Sequence, residues 1–294
     1  LFLYAPHIDI DISDDGIKAL ADKISSKGLA IGSVVAPVWF DASAMGDDAA
    51  RANWVEHVRK SVHIAAKLRD LGIRSSGVVR IDSAASVTDW DKDPEGNTRL
   101  IAQTFREAGK IAHDAGERLA AEGEVCWGGM HSWKNMIRLL EETDMPGIVG
   151  FQADMAPTLL YTLGVNAEAD RILPKDFDWS DTDALDAAYK QVADALRPWT
   201  LDFHVAQNDG TVFGSGDHEK TGRHCQVGDP NGRLDIVKHA GYWLRDDDGN
   251  LTKTLRHICW DGCMFPNAVM EDQETWNAIL GAMVKVRDAH GWRE

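Results

Sequence analysis

The chain has 294 residues, of which 44% are hydrophobic and 27% are charged, a composition typical of folded globular proteins. This composition excludes disordered and collagen-like proteins, and the length suits one large domain. Lys and Arg total 31 against 47 Asp and Glu, and the net charge of -16 repels phosphate backbones and anionic lipids. We therefore expect neither nucleic acid nor a membrane as a partner.

The cysteines and the apolar runs bear on the cellular compartment. The four cysteines are too few and too scattered for a disulfide scaffold, and no C-x2-C pair predicts a zinc site. No apolar run is long enough for a membrane span, and no secretory signal opens the chain. We expect reduced thiols and a cytoplasmic protein. Leu1 already opens a strand-like segment, so we expect the natural chain to begin earlier.

Apolar segments rich in β-branched residues alternate along the chain with segments of helical period. The predicted strands are residues 1–5, 29–36, 77–81, 118–125, 147–151, 201–205 and 255–260. The predicted helices are residues 50–71, 99–115, 133–142, 182–196, 234–243 and 271–289. Such alternation indicates parallel strands joined by helical crossovers, either in a closed barrel or in an open doubly wound sheet.

Ionisable residues stand at or near the ends of several predicted strands. They are Arg80 and Asp82, Glu122 and Glu124, Asp154, His204, and Asp261. In a barrel these carboxyl ends meet at one mouth, whereas an open sheet spreads them along a line. Convergence favours a (β/α)8 TIM barrel. Since seven strands are predicted, we expect the first barrel strand to precede Leu1, unless a short strand is hidden elsewhere.

Two segments lack periodicity and predict loops. Residues 167–181 are rich in Pro and Asp, and residues 208–233 are rich in Gly and Asp and contain His218 and His224. Loops of this length inside a compact domain usually serve as lids or binding loops. For each histidine, a solvated loop residue is the commoner alternative to a catalytic role.

Four residues from four successive strand ends, Glu122, Asp154, His204 and Asp261, predict a metal site. Three carboxylates and one imidazole suit Mn2+, Mg2+ or a similar divalent cation. Each residue taken alone is equally consistent with a salt bridge or a helix cap. Glu124 follows Glu122 by two residues on one predicted strand, so both side chains point to the same side and either can bind the metal. We assign Glu122 to the metal and Glu124 to the substrate.

Further side chains near the strand ends predict contacts to a polyol. His224 is a candidate catalytic residue, and Arg80 and Asp229 can orient hydroxyl groups. Trp127 can cover the apolar face of a sugar ring, although an indole that only fills the top of the barrel is equally consistent.

The sequence lacks the motifs of three other enzyme classes. Residues 214–222, GSGDHEKTG, lack the glycine that a P-loop requires directly before its lysine. No strand-anchored G-x-G-x-x-G, G-x-S-x-G or H-E-x-x-H occurs. ATP, nicotinamide and acyl-serine chemistry therefore have no support. No Lys/Arg cluster or glycine-rich helix start follows a late strand, which favours an unphosphorylated substrate.

The order of five segments resembles the xylose-isomerase-like TIM barrels, a group of sugar isomerases and epimerases that also holds the endonuclease IV relatives. The segments are RLAAEGE, GFQADMAP, LDFHVAQND, GDPNGRLDI and HICWDG. The resemblance covers residues 1–294 as a single domain that starts at the family's second strand. It implies Glu122, Asp154, His204 and Asp261 as ligands of Mn2+, with Mg2+, Co2+ or Zn2+ as alternatives. It also implies a carbohydrate substrate and a possible homo-oligomer.

Two positions depart from the epimerase branch of that family. There the first and last ligands are both glutamates that act as acid and base, whereas the last is Asp261 here, and many members carry a histidine where Pro157 stands. Two hypotheses follow. One is a sugar isomerase or epimerase with Glu122 and Asp261 as acid and base. The other is a lyase or dehydratase that eliminates water or an aglycone from an oxidised sugar or glycoside. The net charge disfavours a nuclease, and a non-catalytic sugar-binding barrel would bind no divalent ion.

Overall fold

The computed structural model describes residues 1–213, 221–252, 255, 257–262 and 265–291. His218, Cys263 and part of the predicted strand at 255–260 lie outside the described residues. In chain order the elements are α1 (Asp14–Ser25), β1 (Val34–Val35), α2 (Asp48–Asp70), β2 (Val79–Ile81), α3 (Val87–Trp90), α4 (Pro94–Asp114), β3 (Leu119–Glu122), α5 (Trp133–Thr143), β4 (Val149–Asp154), α6 (Met155–Thr162), α7 (Thr182–Leu196), β5 (Thr200–Val205), α8 (Ile236–Leu244), β6 (Cys259–Trp260), α9 (Asn267–Met270) and α10 (Gln273–Ala289).

The strands that the described residues form lie in one six-stranded sheet, in the order β1 to β6. The pairs β1–β2, β2–β3, β3–β4 and β5–β6 are parallel, with Val34 opposite Val79 and His204 opposite Cys259. The predicted strand at 1–5 is reduced to a parallel bridge between Phe2 and Val35. The α/β class and the parallel order are confirmed. Closure into eight strands and a strand before Leu1 stay predictions.

The chain divides into two compact units. The first comprises Leu1–Glu122, Trp127–Gly129 and Arg138–Gln152, and the second comprises Gly123–Cys126, Met130–Ile137 and Ala153–Glu294. In the first unit, α2 packs against α1, α4 and β2. In the second, α7 packs against α6 and α8, and α10 packs against α8. No helix in the described part of the chain is long and apolar enough to cross a membrane.

All six predicted helices are present with small differences at their ends. The largest difference is at α4, which begins at Pro94 rather than at residue 99 because the Asp93 side chain accepts from the Gly96 N–H and proline suits a first turn. Among the helices that the sequence pattern did not predict is α6, whose eight residues are all buried. A helix that is buried on every side has no polar face, so it shows no helical period.

The exit of β3 differs from the prediction in a way that matters for function. The pairing of β3 with β4 ends where Glu122 stands opposite Gln152, and the strand does not continue to residue 125. Glu124 therefore lies beyond the strand. The prediction that Glu122 and Glu124 share one strand is therefore wrong, and the alternation of strand side chains does not set their relative directions.

Trp54 anchors α2 within the first unit. Its indole is fully buried and stacks on Phe105 of α4, with ring centroids 5.2 Å apart. The indole N–H also donates to the Asp82 carbonyl at 3.0 Å. Apolar burial and a satisfied polar atom thus stabilise the same contact between helix and sheet.

We expect Trp54→Phe to lower the free energy of unfolding by about 2 kcal/mol, because it removes a buried hydrogen bond and leaves a cavity. Urea denaturation followed by circular dichroism measures the change. Trp276→Phe is the matched control, since that indole also donates to a carbonyl, of Met270, but is 41% exposed. Its effect should stay within about 0.5 kcal/mol. Equal losses in the two variants would contradict the assignment.

Candidate metal centre

Three predicted ligands of the second unit come together where β4, β5 and β6 end. Asp154 closes β4, His204 lies near the end of β5, and Asp261 follows β6 with its N–H donating to the Val205 carbonyl at 2.9 Å. Each of the three offers one ligand atom, and these atoms lie within 4.8 Å of one another. His204 Nδ1 lies 3.4 Å from Asp261 Oδ2 and 3.7 Å from Asp154 Oδ2. The structure therefore brings these three predicted ligands together.

Asp154 divides its two oxygens between a helix and this cluster. As the N-cap of α6, it accepts from the Ala156 N–H through Oδ1 at 2.7 Å. Its Oδ2 is buried and has no hydrogen-bond partner among the described residues. Burying a carboxylate oxygen that accepts no hydrogen bond costs free energy, and a bound cation would compensate for this cost. The carboxylates of Asp154 and Asp261 and the imidazole of His204 form a donor set that fits a divalent cation such as Mn2+ or Mg2+.

His224 faces the same carboxylates from the long loop after β5. Its side chain is 2% exposed, and Nδ1 lies 3.0 Å from the Gly222 carbonyl, which orients the ring. Nε2 lies 3.5 Å from Asp154 Oδ1 and 3.9 Å from Asp261 Oδ2. Burial alone would lower the pKa of His224, but the Asp261, Asp154 and Glu124 carboxylates raise it to about 10. The alternative of a solvated loop residue is therefore wrong for His224.

His204 is flanked on its other side by a further carboxylate of β5. Asp202 precedes it by two residues, so both side chains leave the same side of the strand, and Asp202 Oδ2 lies 3.8 Å from His204 Nε2. Asp202 Oδ1 lies 3.3 Å from His257 Nδ1. Burial opposes charge on His204, but the Cys259 sulfur and the Asp261 carboxylate raise its pKa well above the ordinary value. Histidines that bind metals commonly have such a carboxylate behind the ring.

Glu124 holds the backbone of the loop that carries His224. Its carboxylate is buried, and Oε2 accepts from the Gly222 N–H at 3.2 Å. Asn208 fixes the loop further, since its side-chain amide donates to the Thr211 and Arg223 carbonyls. Glu124 thus fixes the loop backbone two residues before His224. Its predicted contact with a substrate stays a prediction.

In the first unit, Glu122 at the end of β3 is held by two side chains. The Arg80 guanidinium pairs with Oε2, and Gln152 Nε2 donates to Oε1 at 3.1 Å. Charge-assisted bonds of this kind compensate for the burial of the carboxylate. Arg80, which was expected to orient substrate hydroxyls, also lies 3.7 Å from Asp82 Oδ2 and 5.3 Å from the centre of the Trp39 ring. Burial raises the pKa of Asp82, although Arg80 and the Trp39 N–H oppose the rise.

Two more predicted substrate contacts are held by local interactions. Trp127 is half-buried and forms an antiparallel backbone bridge with Ser86 in the first unit. Asp229 lies in a turn of the second unit, where Oδ1 accepts from the Asn231 N–H at 2.8 Å. Their contact with a substrate stays a prediction.

Three residues of these networks were not among the predicted site residues, namely Asp202, Gln152 and His257. Asp202 precedes the predicted ligand His204 by two residues, and Gln152 precedes Asp154 by the same spacing, so each shares a strand face with a ligand. That spacing is the signal by which both could have been found. His257 offered no comparable signal, because its partner Asp202 is distant in the sequence.

Comparison with known proteins identifies the fold. No family model matches the chain, and no curated protein sequence is similar to it. The solved structure of a xylose isomerase domain protein from Planctomyces limnophilus matches with a TM-score of 0.64 and 10% identity, over 99% of this chain and 88% of that one. A D-tagatose 3-epimerase-like protein matches with a TM-score of 0.63 and 14% identity, over 94% of this chain and 85% of that one.

A third solved structure contains a metal. It is a xylose isomerase-like TIM barrel protein from Mycobacterium smegmatis in complex with magnesium, with a TM-score of 0.59 and 12% identity, and the match covers 96% of this chain and 80% of that one. At these identities the likeness concerns the fold. The chain therefore has the fold of the xylose-isomerase-like TIM barrel proteins, as the five sequence segments indicated.

Proposed function

We propose that the chain is a divalent-metal enzyme that moves a proton on a sugar, keto-sugar or cyclitol, as an isomerase or epimerase. The observation that carries the proposal is the buried Oδ2 of Asp154, which accepts no hydrogen bond among the described residues and lies 3.7 Å from His204 Nδ1. Asp154, His204 and Asp261 supply three ligands, and Mn2+ is the ion we expect first. The similar structures include sugar epimerases, which supports a carbohydrate substrate.

We assign the fourth ligand to Glu122 through the geometry of β4. Gln152 and Asp154 are two residues apart on this strand, so their side chains leave the same face. Gln152 donates to Glu122, and this hydrogen bond supports the assignment of Glu122 to the same ligand set. Arg80 and Gln152 each bind one oxygen of Glu122, and every carboxylate oxygen has a further lone pair for a cation.

The reaction requires a base, an acid and a stabiliser for the oxyanion that forms when a proton leaves carbon. A bound divalent ion supplies the electrophile that stabilises this oxyanion. Glu122 and Asp261 are the candidate acid and base, and Arg80 forms an ion pair with Glu122. Asp202 and Glu124 are positioning residues. Asp202 holds His204 in place, and Glu124 holds the loop that carries His224.

Elimination is the second candidate function, and the placement of His224 favours it. A lyase needs an acid at the leaving group besides the base that takes the proton. His224 Nε2 lies 3.9 Å from Asp261 Oδ2, so an imidazole and a carboxylate can reach neighbouring atoms of one substrate. The short arm of Asp261 and the proline at 157 also separate this chain from the two-glutamate epimerase pattern.

We expect the chain to bind Mn2+ and, once loaded, to convert a keto-sugar, a cyclitol or an oxidised glycoside. A substrate screen read by mass spectrometry separates the two candidates: an isomer of unchanged mass indicates isomerisation, and loss of water or an aglycone indicates elimination. Asp154→Asn should weaken Mn2+ binding at least about 100-fold in calorimetry, because it removes the charge and keeps the acceptor for the α6 cap.

Asp183→Asn is the matched control for this substitution, since it changes an exposed carboxylate in the first turn of α7. It should leave Mn2+ affinity and turnover unchanged. If Glu122→Gln and His204→Ala retained both metal and turnover, the ligand assignment would be wrong.

Asp202→Asn tests the positioning of His204. We expect Mn2+ affinity to fall about 10- to 100-fold while the fold is retained, because the amide keeps the shape but loses the charge behind the imidazole. Calorimetry measures the Mn2+ affinity. Separate values of kcat and KM, measured at low and at saturating Mn2+, distinguish weaker metal loading from a lost catalytic group. Saturating Mn2+ should restore most of kcat. An Asp202→Asn protein with wild-type Mn2+ affinity would overturn the assignment.

The metal-free protein should lose stability as the pH rises through the pKa of His224. This pKa is about 10 in the folded chain against an ordinary 6.5, so the protonated imidazole stabilises the fold fully below pH 6.5 and progressively less toward pH 10. In EDTA, the difference in unfolding midpoint between wild type and His224→Gln should shrink between pH 6 and pH 10. His113→Gln, at an exposed histidine of α4, should show no such trend. A difference that grows with pH would refute the prediction.

A further inference from the structure

A cavity of about 680 Å3 opens in the second unit between the long loop after β5 and the C-terminal helices. Residues 223–230 of the loop form one side, and α9 and the first half of α10 contribute the other. His224 belongs both to the cavity lining and to the carboxylate cluster, since its Nε2 lies 3.5 Å from Asp154 Oδ1. The cavity therefore adjoins the candidate metal centre through this one side chain.

The cavity is larger than the proposed reaction requires. Pockets of about 300 to 1,000 Å3 hold ligands of drug size, and a free pentose or hexose is smaller than such ligands. The proton transfer concerns only the carbons near the ligand set, so a free monosaccharide would leave most of this space to water. A substrate with a second group attached to the reacting sugar would occupy both the candidate metal centre and the cavity.

The lining indicates the chemistry of that second group. Phe213 and Phe265 come from different segments of the chain, and Val269 and Ile279 add an aliphatic surface. Phe213 is 44% exposed, so its ring is accessible to a ligand in the cavity. Aromatic faces stack on flat rings and on the C–H faces of sugar rings.

Polar and charged side chains line the loop side of the cavity. Asp229 is held in its turn by the Asn231 N–H, and Gln226 and Arg223 lie beside it in the lining. A few fixed polar groups among apolar ones are what a ring with hydroxyl or other polar substituents needs for orientation. The lining therefore suits an amphipathic ring better than a purely aliphatic chain.

We propose that the substrate is a glycoside, whose reacting sugar lies at the metal centre and whose second ring lies in this cavity against Phe213 and Phe265. The inference rests on the proposed function and narrows it from carbohydrates in general to sugars that carry a ring substituent. An aromatic aglycone and a second sugar share the required chemistry, a ring with an apolar face. His224 lies between the two parts, beside the bond that joins them.

Binding measurements with matched glycosides test the proposal. The probes are the methyl, 4-nitrophenyl and β-glucosyl derivatives of glucose, galactose and xylose, titrated into the full chain with and without Mn2+. For at least one sugar, we expect a ring-bearing glycoside to bind about tenfold more tightly than its methyl glycoside, because the ring covers apolar surface. Preference for the nitrophenyl or the glucosyl form identifies the source of the ring.

Variants of the cavity show where that preference arises. The double variant Phe213→Ala/Phe265→Ala and the cavity-filling Val269→Trp should reduce the ring preference to about twofold or less and leave binding of the methyl glycoside unchanged. Phe40→Ala is the control, since that phenylalanine is 72% exposed in the first unit. It should keep the full preference.

Equal affinity for methyl and ring-bearing glycosides across all three sugars would overturn the inference. So would a ring preference that survives in both cavity variants. Failure of the proposed function has a different signature, which is absence of Mn2+ binding and of any turnover in the mass-spectrometric screen. Because ring preference is also measured without Mn2+, the two failures are distinguishable.

Discussion

The structure depends on how the chain tolerates carboxylates buried at the ends of parallel strands. In the second unit, the side chains of Asp154 and Glu124 are almost fully buried. Asp154 and Asp261 both contact the His204 imidazole. Burying anions costs several kcal/mol each unless a cation compensates. In the metal-free chain the compensation comes from His204 and His224, whose pKa values rise. A divalent ion in the same place would replace those protons and supply the electrophile of the proposed reaction.

Asp154 shows how one residue serves both stability and function. Its Oδ1 caps α6, which ties the carboxylate rigidly to the end of β4, and this rigidity leaves Oδ2 directed at the cluster. A capping aspartate contributes about 1 kcal/mol to a helix, so part of the cost of the buried charge is offset locally. The helix that follows has no polar face, because it is buried on all sides. The candidate ligand is thus anchored where β4 meets a helix that is buried on all sides.

The first unit solves the same problem by another route. Glu122 is paired with Arg80, and Gln152 donates to its other oxygen. An arginine is suited to this task because it stays protonated and presents several donors in a plane. The two strategies have different consequences. Glu122 is paired with an arginine, which stays protonated, whereas the charge on His224 depends on pH.

The sequence by itself determined most of the alternation of strands and helices, the class of the fold and the three candidate ligands that converge in the second unit. These features follow from local periodicity and from the rule that parallel strands end at one edge. Tertiary structure alone decided that β3 stops at Glu122, that His224 is buried, and that Arg80 is engaged by carboxylates. It also decided the roles of Asp202 and Gln152. Such features depend on partners distant in the chain, and no local pattern of residues encodes a pairing across strands.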